Sequence, residues 1–293
     1  TGGNRSRTSV DANGNLWVGL RNGTELVSID PQGKLRGYAH VGSGVRSVAF
    51  DLQGFVWAGG TSGNAMYKIN PNVYADPVKK IFKTEAIVKP TDLAPNYSDG
   101  TRCAANAAGC NHKPGYISPY GAVVASDGSI WVSNRFQSSV FRIDGKTNKI
   151  THGFSISGSY GIAADRVGGV WIANWDNRYV NQRDATTGAL IKKWNVGDNC
   201  RGMILGPFGK MWVANSVANN QITSMDPVTG VMTKINGLGS HMIGIGADLT
   251  GSLGHIWGIS YNDGHVYKVD AKTLKYTGTR YQLCGAPGTK SAN

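Results

Sequence analysis

The chain has 293 residues and a net charge of +12, yet only 16% of its residues are charged, below the roughly 25% usual for soluble domains. No apolar run approaches the roughly 20 residues that span a bilayer, so we expect no transmembrane helix. Gly is abundant at 41 residues and clusters with Asn, Ser and Thr in turn-like stretches. This composition is typical of an all-β protein, and we expect a secreted, cell-surface or periplasmic location.

One pattern of four short strands separated by turns is clearest over residues 158–194. Gly161–Asp165 is an apolar strand, and a Gly-containing turn leads to a second strand at Val170–Asn174. Tyr179–Arg183 and Ala189–Trp194 complete the pattern across an Ala-Thr-Thr-Gly turn. The stretch therefore predicts one antiparallel four-stranded sheet.

The same pattern recurs six times, each time around a Trp in the second strand. These anchors are Trp17, Trp57, Trp131, Trp171, Trp212 and Trp257. Turn glycines precede them at Gly14, Gly54, Gly128, Gly168, Gly209 and Gly251, and turn residues follow at Asp30, Asn70, Asp144, Asp184, Asp226 and Asp270. Repeats near forty residues with four strands each predict a six-bladed β-propeller of four-stranded antiparallel blades, with the anchor Trp side chains in its interblade core.

The distance between Trp57 and Trp131 breaks this period, and seven blades are the alternative to six. Residues 84–117 are rich in Pro turns and show no alternating strand pair, which favours an inserted loop. We therefore predict a single propeller domain over residues 1–293, with an inserted loop at 84–117 and a C-terminal tail at 282–293.

The chain has four cysteines without the CxxC spacing of a metal site. Cys103 and Cys110 enclose only six residues, so we predict that they form one disulfide. Cys200 and Cys284 would then form a second, which would tie the tail to the fifth repeat. Buried free thiols are the alternative.

The positive charge predicts an anionic partner. Lys and Arg are scattered over all six repeats without a nucleic-acid-binding motif, so nucleic acid is not the expected partner. An anionic polymer, a glycan or a surface protein fits a basic secreted propeller better, and a solvated charged rim is the alternative. We expect a monomer.

A binding site is expected where the first strands of the blades begin, because those strands line the channel of a propeller. The residues at these positions are Ser6, Arg46, Tyr120, Tyr160, Arg201 and Ile243, with His241 just upstream. The loops between second and third strands share that face and add Arg135, Trp175, Asn134, Asn174 and Asn215. Arg side chains bind carboxylate or sulfate, and aromatic rings offer flat faces to sugars. For the three recurring Asn residues, a turn role is favoured over ligand contact.

The form YGIAAD-x-x-GG-VWIAN, followed by R/I-D-x-x-T-G, resembles the repeats of the streptogramin (virginiamycin B) lyase propellers and, more loosely, NHL-repeat propellers. The resemblance covers nearly all of the chain except residues 84–117 and the tail. It implies a fold whose lyase members open a cyclic depsipeptide with Mg²⁺, two His that begin innermost strands, and a Glu after a second-strand Trp. Here no His or Glu occupies those positions, and His241 is two residues out of register. Antibiotic-lyase chemistry is therefore not expected.

Three functions remain as hypotheses. The favoured one is a binding module whose channel face holds an anionic or carbohydrate ligand through Arg46, Tyr120, Tyr160, Arg201, Trp175 and Arg135. A polysaccharide lyase acting by β-elimination would use the same face, with Tyr120, Tyr160 or His241 as the base. A protein-interaction scaffold is the third. No cofactor is expected; a divalent metal lacks a visible ligand cluster, although four His residues are spread over different elements.

Overall fold

The computed structural model describes residues 5–99, 116–197, 199–216, 221–248 and 254–283. These residues form twenty-five β-strands and two short 3-10 turns, and they contain no α-helix. None of their elements is a helix that could cross a membrane. The all-β prediction is confirmed. The chain divides into an N-terminal unit, Thr1–Ser159 with Ala185–Gly188, and a C-terminal unit, Tyr160–Asp184 with Ala189–Asn293. A single domain stays a prediction.

The N-terminal unit contains the first three repeats. Its strands are β1 (Arg5–Val10), β2 (Leu16–Leu20), β3 (Glu25–Ile29), β4 (Leu35–His40), β5 (Val45–Phe50), β6 (Val56–Gly60), β7 (Met66–Asp76), β8 (Ile81–Val88), β9 (Leu93–Asp99), β10 (Gly121–Val124), β11 (Ile130–Asn134), β12 (Ser139–Asp144) and β13 (Lys149–Ser155). The first eight form one sheet in the order β1-β2-β3-β4-β8-β7-β6-β5. Its two antiparallel halves of four strands meet in a parallel bridge between Tyr38 and Ile81.

The C-terminal unit contains the last three repeats as three separate four-stranded sheets. Its strands are β14 (Ser159–Ala164), β15 (Gly169–Asn174), β16 (Tyr179–Asp184), β17 (Leu190–Asn195), β18 (Cys200–Leu205), β19 (Met211–Asn215), β20 (Gln221–Met225), β21 (Met232–Ile235), β22 (Met242–Asp248), β23 (His255–Ser260), β24 (His265–Asp270) and β25 (Lys275–Gln282). Each sheet runs in chain order, so every connection is a local turn. The four-strand pattern read from the sequence is thus confirmed in these repeats.

The third repeat departs from the predicted inserted loop. Residues 84–88 belong to β8, the fourth strand of the second repeat, and β9 pairs in parallel with β13, the outer strand of the third. The expectation that residues 84–117 contain no strand pairing is therefore wrong for this part. An edge strand tolerates Pro because the backbone N–H groups on its unpaired side need no partner in the sheet. The Pro residues of this segment had favoured a loop, and β9 was therefore not predicted. Residues 100–115, with Cys103 and Cys110, lie outside the described residues.

Five anchor Trp side chains are fully buried: Trp17, Trp57, Trp131, Trp171 and Trp212. Four of them share a core cluster with strands of the following repeat; Trp171, for example, packs with Met203 and Val213. Burying an indole contributes roughly 4–6 kcal/mol from its apolar area. The predicted core role is confirmed for these four, whereas Trp257 is only half-buried and lies beside Tyr281.

A buried hydrogen bond connects the anchor Trp to the turn before it, a feature that the sequence reading missed. The indole Nε1 donates to a carboxylate six residues earlier: Trp17 to Asp11 at 3.0 Å, Trp57 to Asp51 at 2.9 Å and Trp171 to Asp165 at 2.8 Å. Burial raises the pKa of Asp11, but the hydrogen bonds from Trp17 and Asn15 outweigh it, so this pKa lies below its usual value. In the sequence, an Asp six residues before the anchor Trp would have indicated this hydrogen bond.

The other two fully buried anchors, Trp131 and Trp212, have no Asp six residues earlier. In the third repeat Ser129 Oγ accepts from Trp131 at 3.1 Å. In the fifth repeat Gly206 occupies the position of the Asp, and Trp212 Nε1 finds no acceptor among the described residues. The fifth repeat therefore lacks the indole hydrogen bond that each of the first four repeats has.

Turns between third and fourth strands are stabilised by Asp side chains at predicted positions. Asp144 Oδ1 accepts from the backbone N–H of Lys146 at 2.8 Å, and Asp270 Oδ1 accepts from the backbone N–H of Thr273 at 2.8 Å. The second repeat differs from the prediction: Asn70 lies inside β7, and Asp76 Oδ1 accepts from the backbone N–H of Lys79 at 3.0 Å in the turn before β8. These side chains mimic a backbone turn, which explains their regular spacing.

Candidate functional site

Most of the predicted site residues lie at equivalent places in their repeats. Arg46, Tyr160, Arg201 and Ile243 are each the second residue of a first strand, and Tyr120 directly precedes β10. Ser6 lies on β1. A Gly follows Tyr120, Tyr160 and Arg201. A Cβ at Gly161 would collide with the carbonyl oxygen of Arg201, so β14 and β18 approach closely here.

In the N-terminal unit three guanidinium groups gather around Tyr120, which is 4% exposed. Arg46 donates to the Tyr120 hydroxyl at 2.7 Å, and its Cζ lies 4.8 Å from the ring centroid. Arg7 and Arg135 lie 5.5 and 5.6 Å from the same centroid. We call Arg7, Arg46, Tyr120 and Arg135 the arginine–tyrosine cluster. The sequence had selected three of these four residues; Arg7 follows the predicted Ser6 position.

Phe136 borders this cluster and is 60% exposed. Its ring meets Tyr120 edge-on at 5.9 Å, and Arg135 lies 5.4 Å from its centroid. Both residues belong to a short 3-10 turn, Arg135–Gln137, that follows β11. The loop after the second strand therefore brings a cation and an apolar ring next to Tyr120, directly before the first strand.

In the C-terminal unit Tyr160, Trp175 and Arg201 form a second cluster, the arginine–tryptophan cluster. The Arg201 Cζ lies 3.6 Å over the Trp175 ring, and the Tyr160 and Trp175 rings stack at 5.4 Å. The Arg201 Cζ is also 5.9 Å from the centroid of the Tyr160 ring. Arg201 and Tyr160 therefore do not lie on opposite faces of the Trp175 indole. A guanidinium over an indole combines cation–π attraction with a planar hydrogen-bonding edge.

The three recurring Asn side chains are buried and hold the backbone together. Asn134 accepts from Ser118 N–H at 2.7 Å and donates to the Tyr116 carbonyl at 3.1 Å. Asn215 Nδ2 donates to the carbonyls of Val196 and Gly197, both at 3.3 Å. Asn174 Oδ1 accepts from Asn181 at 2.9 Å. Each of the three is the last residue of a second strand, and their predicted turn role stays a prediction.

The histidine candidates of the C-terminal unit have polar neighbours of their own. His241 is exposed, has a left-handed backbone with φ of 55°, and its Nδ1 lies 3.2 Å from Ser216 Oγ. His265 Nδ1 lies 2.7 Å from the Asp263 carbonyl oxygen. Among the described residues, no group of three His, Cys, Asp or Glu side chains could hold a metal ion. His112 lies outside the described residues.

Cys200 is buried, and its Sγ lies 3.3 Å from the Gly197 carbonyl oxygen. The predicted partners Cys103, Cys110 and Cys284 all lie outside the described residues, so both disulfides stay predictions. The backbone around Cys200 is nevertheless ordered by Asn215, whose amide also lies 3.9 Å from the sulfur. Cys200 therefore belongs to the packed interior of the C-terminal unit.

A cleft of about 310 Å³ lies elsewhere in the N-terminal unit, among turns that connect first to second and third to fourth strands. Arg142 crosses it and pairs with Asp127 at 2.9 Å. Burial raises the pKa of Asp127, but hydrogen bonds from Ser129 and Arg142 outweigh it and hold this pKa below its usual value. Because these charges compensate each other within the cleft, the two aromatic clusters are the stronger candidates for a ligand site.

Several solved structures resemble this chain in fold. Virginiamycin B lyase from Staphylococcus aureus, in selenomethionine form, matches 95% of this chain and 84% of its own with a TM-score of 0.70 and 15% sequence identity. A catalytically inactive variant with quinupristin matches 96% and 85%, with a TM-score of 0.71 and 16% identity. Kuenenia stuttgartiensis hydrazine synthase matches 90% and 75%, with a TM-score of 0.67 and 14% identity. This chain has the β-propeller fold of the streptogramin lyases.

These likenesses show the fold alone, because the sequence identities are about 15%. No family model matches the sequence. No curated protein matches it either. The predicted β-propeller of lyase-like type is confirmed, whereas the count of six blades stays a prediction.

Proposed function

We propose that the protein is a six-bladed propeller, secreted or periplasmic, that binds an anionic or carbohydrate ligand where the first strands of its blades begin. The observation that carries the proposal is the convergence of Arg7, Arg46 and Arg135 on the one ring of Tyr120. Three guanidinium groups around one ring bring several N–H donors to one place. Guanidinium groups bind carboxylate, sulfate or phosphate through paired N–H donors.

Each cluster, taken within its own unit, offers one kind of contact to such a ligand. The arginine–tyrosine cluster supplies charge, since it has three cations around a phenol. The arginine–tryptophan cluster supplies flat aromatic surface, because Trp175 and Tyr160 stack at 5.4 Å and both are partly exposed. Aromatic faces pack against the C–H faces of sugar rings while their polar edges stay hydrated. An acidic polysaccharide contains both chemical groups, so we propose this substrate class for the binding module.

The test measures binding to immobilised polygalacturonate, heparin and neutral dextran at low and raised salt. We expect retention on the acidic polymers that weakens with salt, because exposed charge pairs are screened. The Arg46→Gln/Arg135→Gln variant should bind at least about tenfold more weakly, since each charge-assisted hydrogen bond contributes roughly 1.5–3 kcal/mol.

The matched control is Lys34→Gln/Lys89→Gln, which removes the same charge from two exposed positions of the N-terminal unit. It should bind nearly as well as the unchanged protein. Equal losses in the two variants would mean that net charge alone causes retention. Retention on no acidic polymer would overturn the proposal.

A lyase acting by β-elimination is the second candidate, and one contact favours it. Arg46 donates to the Tyr120 hydroxyl at 2.7 Å, and a phenol oxygen next to a cation is a candidate base for removing a proton beside a carboxylate. The other arginines of the cluster could neutralise that carboxylate. Incubation with polygalacturonate, followed by ultraviolet absorbance of an unsaturated product, distinguishes the two: product that forms with the unchanged protein and not with Tyr120→Phe would establish the lyase.

A further inference from the structure

The last strand of the fourth repeat, β17, is the outer edge of its sheet. Among the described residues, no strand pairs with its outer side. Every side chain of β17 is exposed except that of Trp194. Such an edge presents backbone N–H and C=O groups to which a further strand can be added.

The register of the sheet shows which backbone groups of β17 face outward. The Val196 N–H donates to the Arg178 carbonyl oxygen at 2.9 Å, so the backbone of Val196 faces the neighbouring strand β16. Residues whose backbone groups face that neighbour alternate along an antiparallel strand with residues whose groups face away. The N–H and C=O groups of Lys193 and Asn195 therefore point away from β16.

The outer strand of the third repeat shows what an edge of this kind can hold. β13 matches β17 in register, and Gly153 occupies the position of Lys193. The outer side of β13 pairs in parallel with β9, which places Gly153 opposite Asp99. At the beginning of this pairing the Ile150 N–H donates to the Asp92 carbonyl oxygen at 2.8 Å. The chain thus adds a fifth, extended strand to the third repeat.

The charges of the two edges indicate which kind of strand fits β17. Residues 92–99, which pair with β13, include two Asp and no Lys or Arg. The Lys149 ammonium lies 3.5 Å from the Asp92 carboxylate. β17 has two consecutive cations, Lys192 and Lys193, and no acidic residue. Opposite charges across a strand pair stabilise it and like charges destabilise it, so an acidic strand is favoured and a second copy of β17 is disfavoured.

The other outer strands of the C-terminal unit are poorer templates. β21 has only four residues. β25 is interrupted in its middle, where Gly278 has a φ of 82° and the register shifts. Short strands and bulges are two ways in which natural edges avoid added strands. The register of β17 shifts only near its beginning, and residues 192–195 pair regularly with residues 179–182.

We infer that β17 docks an extended acidic segment of a partner protein, which is added in parallel as a fifth strand of the fourth repeat. The main-chain hydrogen bonds of such an added strand supply affinity, and its side chains supply specificity. The cations of β17 select the partner by charge. The inference does not rest on the proposed ligand site, whose residues belong to first strands and to the loops after second strands.

The experiment titrates the protein into a fluorescently labelled peptide with the sequence of residues 91–99 and measures its anisotropy at low and raised salt. We expect binding that weakens with salt, because exposed charge pairs are screened. A peptide with Asn in place of both Asp should bind about fivefold more weakly, since two cross-strand charge pairs are lost.

The charge of the edge is tested from the side of the protein. Lys192→Gln/Lys193→Gln should weaken binding of the acidic peptide about fivefold and should bind the Asn peptide as well as the unchanged protein does. Lys272→Gln/Lys275→Gln removes the same charge from exposed positions of the same unit and is the matched control. It should bind the acidic peptide nearly as well as the unchanged protein.

The backbone of the edge is tested with Pro. Lys193→Pro removes an outward N–H and its ring obstructs an approaching strand, so peptide binding should fall at least about tenfold further than in Lys193→Gln. Gln282→Pro on β25 is the matched control, because the Leu283 N–H donates to the Gly264 carbonyl oxygen at 2.8 Å and the N–H of Gln282 therefore faces outward as well. Gln282→Pro should keep peptide binding.

Urea unfolding shows whether both Pro variants keep their fold, and if Lys193→Pro does not, the comparison of the two Gln variants decides. The inference is overturned if the acidic peptide does not bind, or if a folded Lys193→Pro binds it as well as Gln282→Pro. Equal losses in Lys192→Gln/Lys193→Gln and in its control would also overturn it, because the net charge of the protein would then explain the binding.

Discussion

The indole nitrogen of Trp171 donates to Asp165 Oδ2 at 2.8 Å, so a single carboxylate connects the core of the fourth repeat to its first turn. The other oxygen, Oδ1, accepts from the backbone N–H of Gly169 at 2.7 Å and of Val167 at 3.0 Å. The same arrangement recurs at Asp11 and Asp51. The turn and the interblade core are therefore stabilised together.

Asp165→Ala should destabilise the protein strongly. The change leaves a buried indole N–H and two turn N–H groups without their acceptor, at a cost of about 3 kcal/mol in the free energy of unfolding. Asp30→Ala is the control, because Asp30 accepts only turn N–H groups in an exposed loop, and about 1 kcal/mol is expected there. Urea denaturation of both variants measures the difference; equal losses would contradict the role of the indole bond.

Trp212→Phe should cost less stability than Trp171→Phe. Both indoles are fully buried, but only Trp171 donates to a described acceptor, whereas Gly206 replaces the Asp before Trp212. Removing the Trp171 indole leaves Asp165 Oδ2 without its donor, so we expect an additional loss of about 1–3 kcal/mol in that variant. Thermal and urea unfolding of the pair provide the measurement, and a larger loss for Trp212→Phe would contradict it.

Gly161→Ala should disrupt the start of β14. A Cβ there would collide with the Arg201 carbonyl oxygen on the neighbouring first strand, and backbone cannot move aside as a side chain can. We expect a loss of about 3 kcal/mol and a changed environment of Trp175, visible in its fluorescence. Gly246→Ala is the matched control, since nothing lies within 4 Å of the added Cβ. A harmless Gly161→Ala would show that the strands are not this close.

Acid should weaken the fifth repeat through Asp226. The pKa of the Asp226 carboxyl is lowered from 3.8 to about 2, and the hydrogen bond from the Thr229 backbone N–H is the largest cause. Burial acts in the opposite direction, whereas hydrogen bonds from Lys210 and the Val228 backbone lower the pKa further. Because the folded-state pKa is depressed, this contribution to stability is present above pH 3.8 and is lost as the pH falls towards about 2.

Asp226→Asn should therefore flatten the fall of stability across that pH window, because its amide oxygen still accepts from the turn but does not titrate. Unfolding by urea at several pH values compares the two proteins, and a carboxyl titration by NMR locates the pKa directly. Identical pH dependence in both proteins would show that Asp226 does not contribute.

The repeats could be read from the sequence because their determinants are local. Five described repeats have a Gly with positive φ before the second strand, and that Gly, the Trp of the second strand and an Asp near the end of the third act within about twenty residues. Gly14, Gly54 and Gly168 have φ values of 78°, 84° and 96°, as their turns require. The starts of the first strands followed from the same spacing, which is why Arg46, Tyr160 and Arg201 were placed at equivalent positions.

Only the tertiary structure decided which of these residues meet. Arg7, Arg46 and Arg135 belong to three different repeats, and their convergence on Tyr120 depends on the packing of neighbouring sheets, which no local signal encodes. The pairing of β9 with β13 joins residues more than fifty positions apart, and Pro turns concealed that strand. Local turn chemistry determines the repeat, while non-local packing determines the site.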